Sequence, residues 1–196
     1  EGPLTTNQLP SMATKRQAEF DTKKAAALLD QADWKVDQNG KRSNKDGKPL
    51  TINLVSIQTG DYPIISETLK KQWESIGASV TMTLRDPDAF QQTVIVPRNY
   101  DVLVYELELG ADPDVYAFWH SSQADPRGLN LSNYKSGIAS DALASAQLRL
   151  ELSARLPKYD LFANAWLEDT PAIALYQPQL HYVTSPSVKS IQVSTS

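Results

Sequence analysis

Apolar residues recur along this chain with two periods, and the change from one to the other outlines its elements. Asp21 can cap a helix in which Ala25, Leu28, Leu29 and Ala32 recur at three and four, predicting a buried face. Asn39-Gly40 and Asp46-Gly47 then mark a polar hairpin or loop. Residues 50–57 read as a strand. Pro63 opens a helix whose face carries Ile65, Leu69, Trp73 and Ile76, with Gly77 as its stop. Residues 79–85 alternate, placing Val80, Met82 and Leu84 on one side. Pro87 lies in the first turn of a short helix begun at Asp86. Residues 100–109 are apolar without alternation until Glu106, the pattern of a strand covered on both faces.

The second half is predominantly helical. One helix is predicted over about 138–150, burying Ala142, Leu143, Ala146 and Leu150. A second carries Leu156, Tyr159, Phe162, Ala163, Trp166 and Leu167, and must begin within a turn of Pro157. Residues 171–184 read as two short strands broken at Gln177-Pro178. Residues 1–20 read as an extended lead-in with Pro3 and Pro10, and 186–196 as an edge strand or frayed tail. Strands alternating with helices of this length predict an α/β fold, a mixed, mostly parallel sheet flanked by helices. The whole of 1–196 reads as a single α/β domain.

Composition narrows the function. The chain has 196 residues, 41% hydrophobic and 21% charged, in the ordinary range of a globular protein. A net charge of −4 gives no electrostatic case for nucleic acid. No apolar run approaches a membrane span. With no cysteine, disulfides and thiolate chemistry are excluded. The two histidines, His120 and His181, lie far apart in sequence, and no phosphate-binding glycine loop occurs, so no metal site and no cofactor is expected. The turn around Asp37 and Asn39 faintly resembles a calcium loop, but Lys48 stands where a bidentate Glu is needed.

The densest chemistry is "LGADPDVYAFWHSSQ", residues 109–123. It sets Asp112, Asp114, Tyr116, Phe118, Trp119 and His120 just after a predicted strand. In open α/β sheets ligands bind beyond the carboxyl ends of the strands, so acids and rings gathered there suit a small polar ligand. The plain alternative is one helical turn, begun by Asp112 and Pro113, packing its rings on the sheet. A hydrolase using His120 with Ser121 or Asp114 is the weakest reading, because no nucleophile elbow is present. A surface module that binds a protein partner through the aromatic stretch is a third.

Several segments together resemble the extracytoplasmic solute-binding proteins, family 5, of peptide, dipeptide and nickel ABC importers. They are "KKAAALLDQADW", "DGKPLTINLV", "LKKQWESIGASVTM", "RNYDVLVYELELGADPDVYAFWHSSQ", "GLNLSNY", "DALASA" and "KYDLFANAWLEDTPAIALYQP". The resemblance implies a periplasmic-binding-protein-like (type II) fold, with this chain as the C-terminal lobe of a two-lobe protein. It implies a peptide or other small solute as ligand, no catalysis, and ABC permease subunits and an N-terminal lobe as partners. It also implies an extracytoplasmic location, with a lipoprotein anchor in the full-length parent. The expected ligand-binding residues are Glu106, Leu109, Asp112, Asp114, Tyr116, Trp119 and His120, with Asn130 and Tyr134 secondary. One departure stands out. Peptide-binding members often carry Gly-Trp-x-x-Asp before the Asp-Pro pair, and that Asp holds the peptide's amino terminus. Here Leu109 takes the Asp position and Glu106 the Trp position, so the ammonium clamp is not carried over.

Overall fold

The computed structural model describes residues 2–178, 183–185 and 187–188. The chain divides into two compact units, Ala18–Glu108 and Glu1–Gln17 with Leu109–Ser196.

In the unit Ala18–Glu108, helix α1 (Thr22–Gln31) starts where predicted, Asp21 Oδ1 accepting the Lys24 N–H at 2.9 Å. Its face is not buried as expected. No residue of α1 is buried, Leu28 is 54% exposed and Ala32 is also exposed. The adjoining hairpin explains this. Strands β1 (Lys35–Val36) and β2 (Arg42–Ser43) pair antiparallel over two residues each, too few to cover an apolar helix face. The inward element is a charge. The buried Arg42 guanidinium donates to Ala26 O, Trp34 O and Ile76 O and pairs with Asp30 at 2.6 Å.

Strand β3 (Thr51–Ile57) pairs in parallel with β4 (Ser79–Arg85) on one side and β5 (Val102–Leu103) on the other, giving the order β4-β3-β5. Helix α2 (Tyr62–Ser75), with Pro63 in its first turn, makes the crossover. Gly77 ends it at φ 99°, where an added Cβ would lie 2.7 Å from Arg42 Cγ, so both conformation and space require glycine. Leu54, Ala78, Val80 and Val104 are buried beneath Ile65, Leu69, Trp73 and Met82, each large side chain contributing about 1.5–3 kcal/mol on full burial. Helix α3 (Pro87–Phe90) opens at the Asp86 cap and continues as a π turn over Gln91–Ile95. The long strand expected over 100–109 is two residues. Among the described residues β5 has a neighbour on one side only, and past Val104 the chain leaves the ladder, with Tyr105 and Glu106 exposed.

In the other unit the lead-in is not extended. Pro10–Ala13 forms a 3-10 turn, and Leu4, Leu9 and Met12 are buried. Ser11 Oγ donates to Asp160 at 2.5 Å and Lys15 pairs with Asp160 at 3.2 Å, holding the segment down. Helix α4 (Tyr116–Trp119) is one turn. Helix α5 (Gly137–Gln147) buries Ala139, Ala142, Leu143 and Ala146, and packs against α6 (Leu152–Asp169), which buries Tyr159, Phe162, Ala163 and Trp166. Leu150, expected in that core, is 98% exposed because α5 ends first and Leu150 falls in the connection. Nor does α6 wait for Pro157. It begins at Leu152 and encloses the proline, whose exposed position leaves water to serve the Ser153 carbonyl that Pro157 cannot bond.

The strands expected over 171–184 do not form in the described residues there. A strand needs a neighbour, and Ala174 has instead the Gln17 side chain, which donates to its carbonyl at 2.9 Å and accepts its N–H at 3.0 Å. Residues 179–182, with His181, and most of the 186–196 tail lie outside the described residues.

Candidate functional site

The stretch 109–123 opens the second segment of its unit as a loop. Leu109 is half-buried. Asp112 makes an Asx turn, its Oδ1 accepting the Asp114 N–H at 2.8 Å, and Pro113 is buried within the turn. Two residues distant in sequence grip this turn. Gln8, itself buried, donates from Nε2 to Gly110 O at 2.7 Å and to Asp112 O at 3.3 Å. Arg155 forks onto the Asp112 carboxylate, Nη1 to Oδ2 at 2.8 Å and Nη2 to Oδ1 at 2.5 Å. The Arg155 hydrogen bonds hold the Asp112 carboxyl below its usual pKa, partial burial working against them, and Asp112 in turn raises that of Arg155.

Asp114 performs the next step. Its Oδ1 accepts the Tyr116 N–H at 3.0 Å, beginning α4, and its Oδ2 accepts Gln147 Nε2 at 2.8 Å. The single turn of α4 sends its side chains two ways. Trp119 goes inside, edge-on to Trp166 of α6 with centroids 5.4 Å apart and planes at 83°, so these rings pack on a helix rather than on a sheet. Tyr116 stays at the surface, stacked on the His120 ring at 4.0 Å. His120 Nδ1 accepts the Ser122 N–H at 3.1 Å and lies 2.8 Å from Ser122 Oγ. Accepting a backbone N–H fixes the neutral tautomer with the proton on Nε2. Burial lowers the His120 pKa, and the Asp141 charge opposes that shift. The triad geometry of a hydrolase is not assembled. His120 addresses Ser122 and not Ser121, while the Asp114 carboxylate binds Tyr116 and Gln147.

Asn130 and Tyr134 lie beneath this surface and not on it. Asn130 is fully buried, and its amide donates to His120 O (3.1 Å) and Tyr134 O (2.9 Å) while accepting from Ser132 Oγ and Tyr134 N–H. Tyr134 donates to Asp169 at 2.6 Å, and burial, helped by that bond, pushes its hydroxyl up to about 12. Asn130 and Tyr134 therefore fasten the loop from within. Gly128 completes it, since a Cβ there would overlap the Gln123 carbonyl.

Glu106 belongs to the other unit, where it is exposed with its Oε2 3.5 Å from Tyr62 Oη, near the parallel stack of Phe90 and Tyr105. Sequence reasoning passed over Gln8, Arg155 and Ser122. Only Arg155 left a signal, the spacing of four to Tyr159, over whose ring its guanidinium sits at 5.3 Å. Among the described residues no group of three or more His, Asp or Glu side chains gathers as a metal site.

Comparison with known proteins agrees with this picture. Residues 2–128 match the family model described as bacterial extracellular solute-binding proteins, family 5 Middle. The oligopeptide-binding protein AppA of Bacillus subtilis is 29% identical over 183 residues, which is 92% of this chain and 33% of AppA. The AppA structure in complex with a nonapeptide superposes with a TM-score of 0.74 at 26% identity, covering 87% of this chain and 34% of AppA. NikZ of Campylobacter jejuni, in complex with Ni(L-His), gives a TM-score of 0.71 at 22% identity over 81% of this chain and 32% of NikZ. The fold is thus periplasmic-binding-protein-like (type II). The chain spans about a third of the length of AppA.

Proposed function

Because this chain belongs to the bacterial extracellular solute-binding proteins of family 5, we propose that it is a ligand-binding lobe of an ABC importer's binding component, with peptides or related small solutes as its ligands. The observation that carries this reading is the clamped loop, which leaves Asp114 exposed and Tyr116 and His120 half-buried at the surface, while Asp112, exposed but bound by Arg155, and the buried Asn130 hold it. An exposed carboxylate, a phenol and an imidazole Nε2–H make a surface that can both accept and donate hydrogen bonds beside two stacked rings. Such a surface suits the amide-rich backbone of a peptide.

Leu109 in place of an acid argues against recognition of a free amino terminus at that position, since an ammonium desolvated without a counter-charge is costly. The preferred ligands are therefore longer peptides or solutes held away from their amino end. This reading carries its partners with it: a second, N-terminal lobe that closes on the ligand, permease subunits that receive it, and a lipid anchor holding the parent at the extracytoplasmic face of the membrane. The test is an amide-resolved NMR titration of the chain with a mixed di- to hexapeptide pool. Selective shifts between Leu109 and Gln123 support the reading. Shifts confined to other surfaces, or none up to tens of millimolar, count against a peptide site in this stretch.

A further inference from the structure

The proposed site raises the question of what fixes a loop that has neither a strand ladder nor a long helix of its own. We infer that Arg155 is the positioning residue of the ligand loop, acting through Asp112 without touching the ligand itself; this rests on the reading above that the loop binds the ligand.

The guanidinium is held before it reaches the loop. It projects from α6, stands over the Tyr159 ring, and donates to Tyr159 Oη from Nε at 3.2 Å and from Nη2 at 2.5 Å. Tyr159 is fully buried, and the Arg155 side chain keeps only 15% of its exposure. A planar cation pinned at one edge offers its remaining N–H groups in one direction. There it meets both carboxylate oxygens of Asp112, which is 43 residues away in sequence. The third bond of that carboxylate, from the Asp114 N–H, passes the constraint on to the backbone of the next residues. Gln8 fixes the same turn from a different part of the chain, through Gly110 O and Asp112 O. Two independent clamps therefore meet on one turn.

This reassigns Asp112. Its oxygens accept three hydrogen bonds, two of them from the Arg155 guanidinium, so its charge is spent within the protein. Asp114 accepts only one neutral N–H on each oxygen and keeps lone pairs and, among the described residues, an unpaired charge for a ligand, beside Tyr116 and His120, and the placement of these three depends on the Arg155 fork. Lysine at 155 keeps the charge but cannot make the fork or the pairing with Tyr159, so it does not substitute.

The experiment is a double-mutant cycle in the full-length protein that carries this chain, with occupancy read by native mass spectrometry against a randomised hexapeptide pool. The variants are Arg155→Ala, Asp112→Ala and their combination, with Arg155→Lys and Asp112→Asn as milder forms and Tyr116→Ala as a reporter of the loop. Melting curves accompany each. Every variant at 155 or 112 is expected to weaken binding about tenfold. The double variant is expected to be no worse than either single one, because both remove the same constraint. Amide shifts at Asp114 and Tyr116 should move alike in both singles without ligand. Additive losses would show that Arg155 meets the ligand directly and overturn the inference. Retained binding in Arg155→Lys and Arg155→Ala, with binding lost in Tyr116→Ala, overturns it while leaving the site intact. Retained binding in all of them, Tyr116→Ala included, overturns the reading of the loop as a site, and this inference with it.

Discussion

At the scale of single residues, the chemistry around the loop is divided between display and fastening, and the two can be separated by measurement. Asn130→Ala removes four hydrogen bonds from a fully buried position and takes the Asn130 partner from the Tyr134 N–H and carbonyl, while the His120 carbonyl keeps the Gln123 N–H at 3.0 Å. It should cost about 3 kcal/mol in denaturant unfolding, at the upper end for a point change. A ligand-only role for Asn130 would leave unfolding unchanged. His120 gives a pH dependence. Its folded pKa lies below the ordinary 6.5, so the unfolded chain binds more protons in the interval between them. The stability it contributes is present above about pH 6.5 and is lost as pH falls through the lowered folded value. Melting temperatures measured from pH 8 to 5 should therefore fall toward the acid end by more in the parent than in His120→Gln. The same slope in both would assign the effect elsewhere.

At the scale of elements, the packing is carried by a few polar side chains as much as by apolar faces. Arg42 joins α1, the β1–β2 hairpin and the end of α2 by donating to three carbonyls. Arg42→Ala should cost about 3 kcal/mol, and Arg42→Lys most of that, since one ammonium cannot reach the same acceptors. An equilibrium unfolding curve within 0.5 kcal/mol of the parent, about the surface-substitution range, would remove that role. The connection between α5 and α6 behaves oppositely. Leu150→Lys should be neutral within about 0.5 kcal/mol, although a leucine in a helical pattern is ordinarily a core residue. A loss of about 2 kcal/mol or more, the usual cost of emptying a core site, would contradict its exposure. The elements also show how far pattern reading reaches. Period and cap residues located α1, α2, β3, β4, α5 and α6, because those signals are local. Three of the failures share one cause. The length of β5, the exposure of Leu28 and the strands that do not form among the described residues after α6 all depend on which neighbour stands opposite, and no local spacing records that.

At the scale of the whole molecule, the chain covers about a third of the length of AppA. On the function proposed above, it offers only one side of a ligand surface that a second lobe completes. Affinity for peptides should accordingly be about millimolar or weaker, since an open half-site neither excludes water nor supplies the opposing contacts. Calorimetric binding at micromolar concentration would show that this chain holds a complete site. The sequence by itself determined the α/β class, the order of most elements, the family, and the place of the aromatic and acidic stretch. Each of these comes from spacing, composition or motif order, which are properties of neighbouring residues along the chain. Only the tertiary structure decided what the members of that stretch do. Asp112 faces Arg155 and Trp119 meets Trp166, because folding brings together groups separated by tens of residues. The direction in which a side chain's hydrogen bonds are spent is a property of that meeting and is written nowhere in its local sequence.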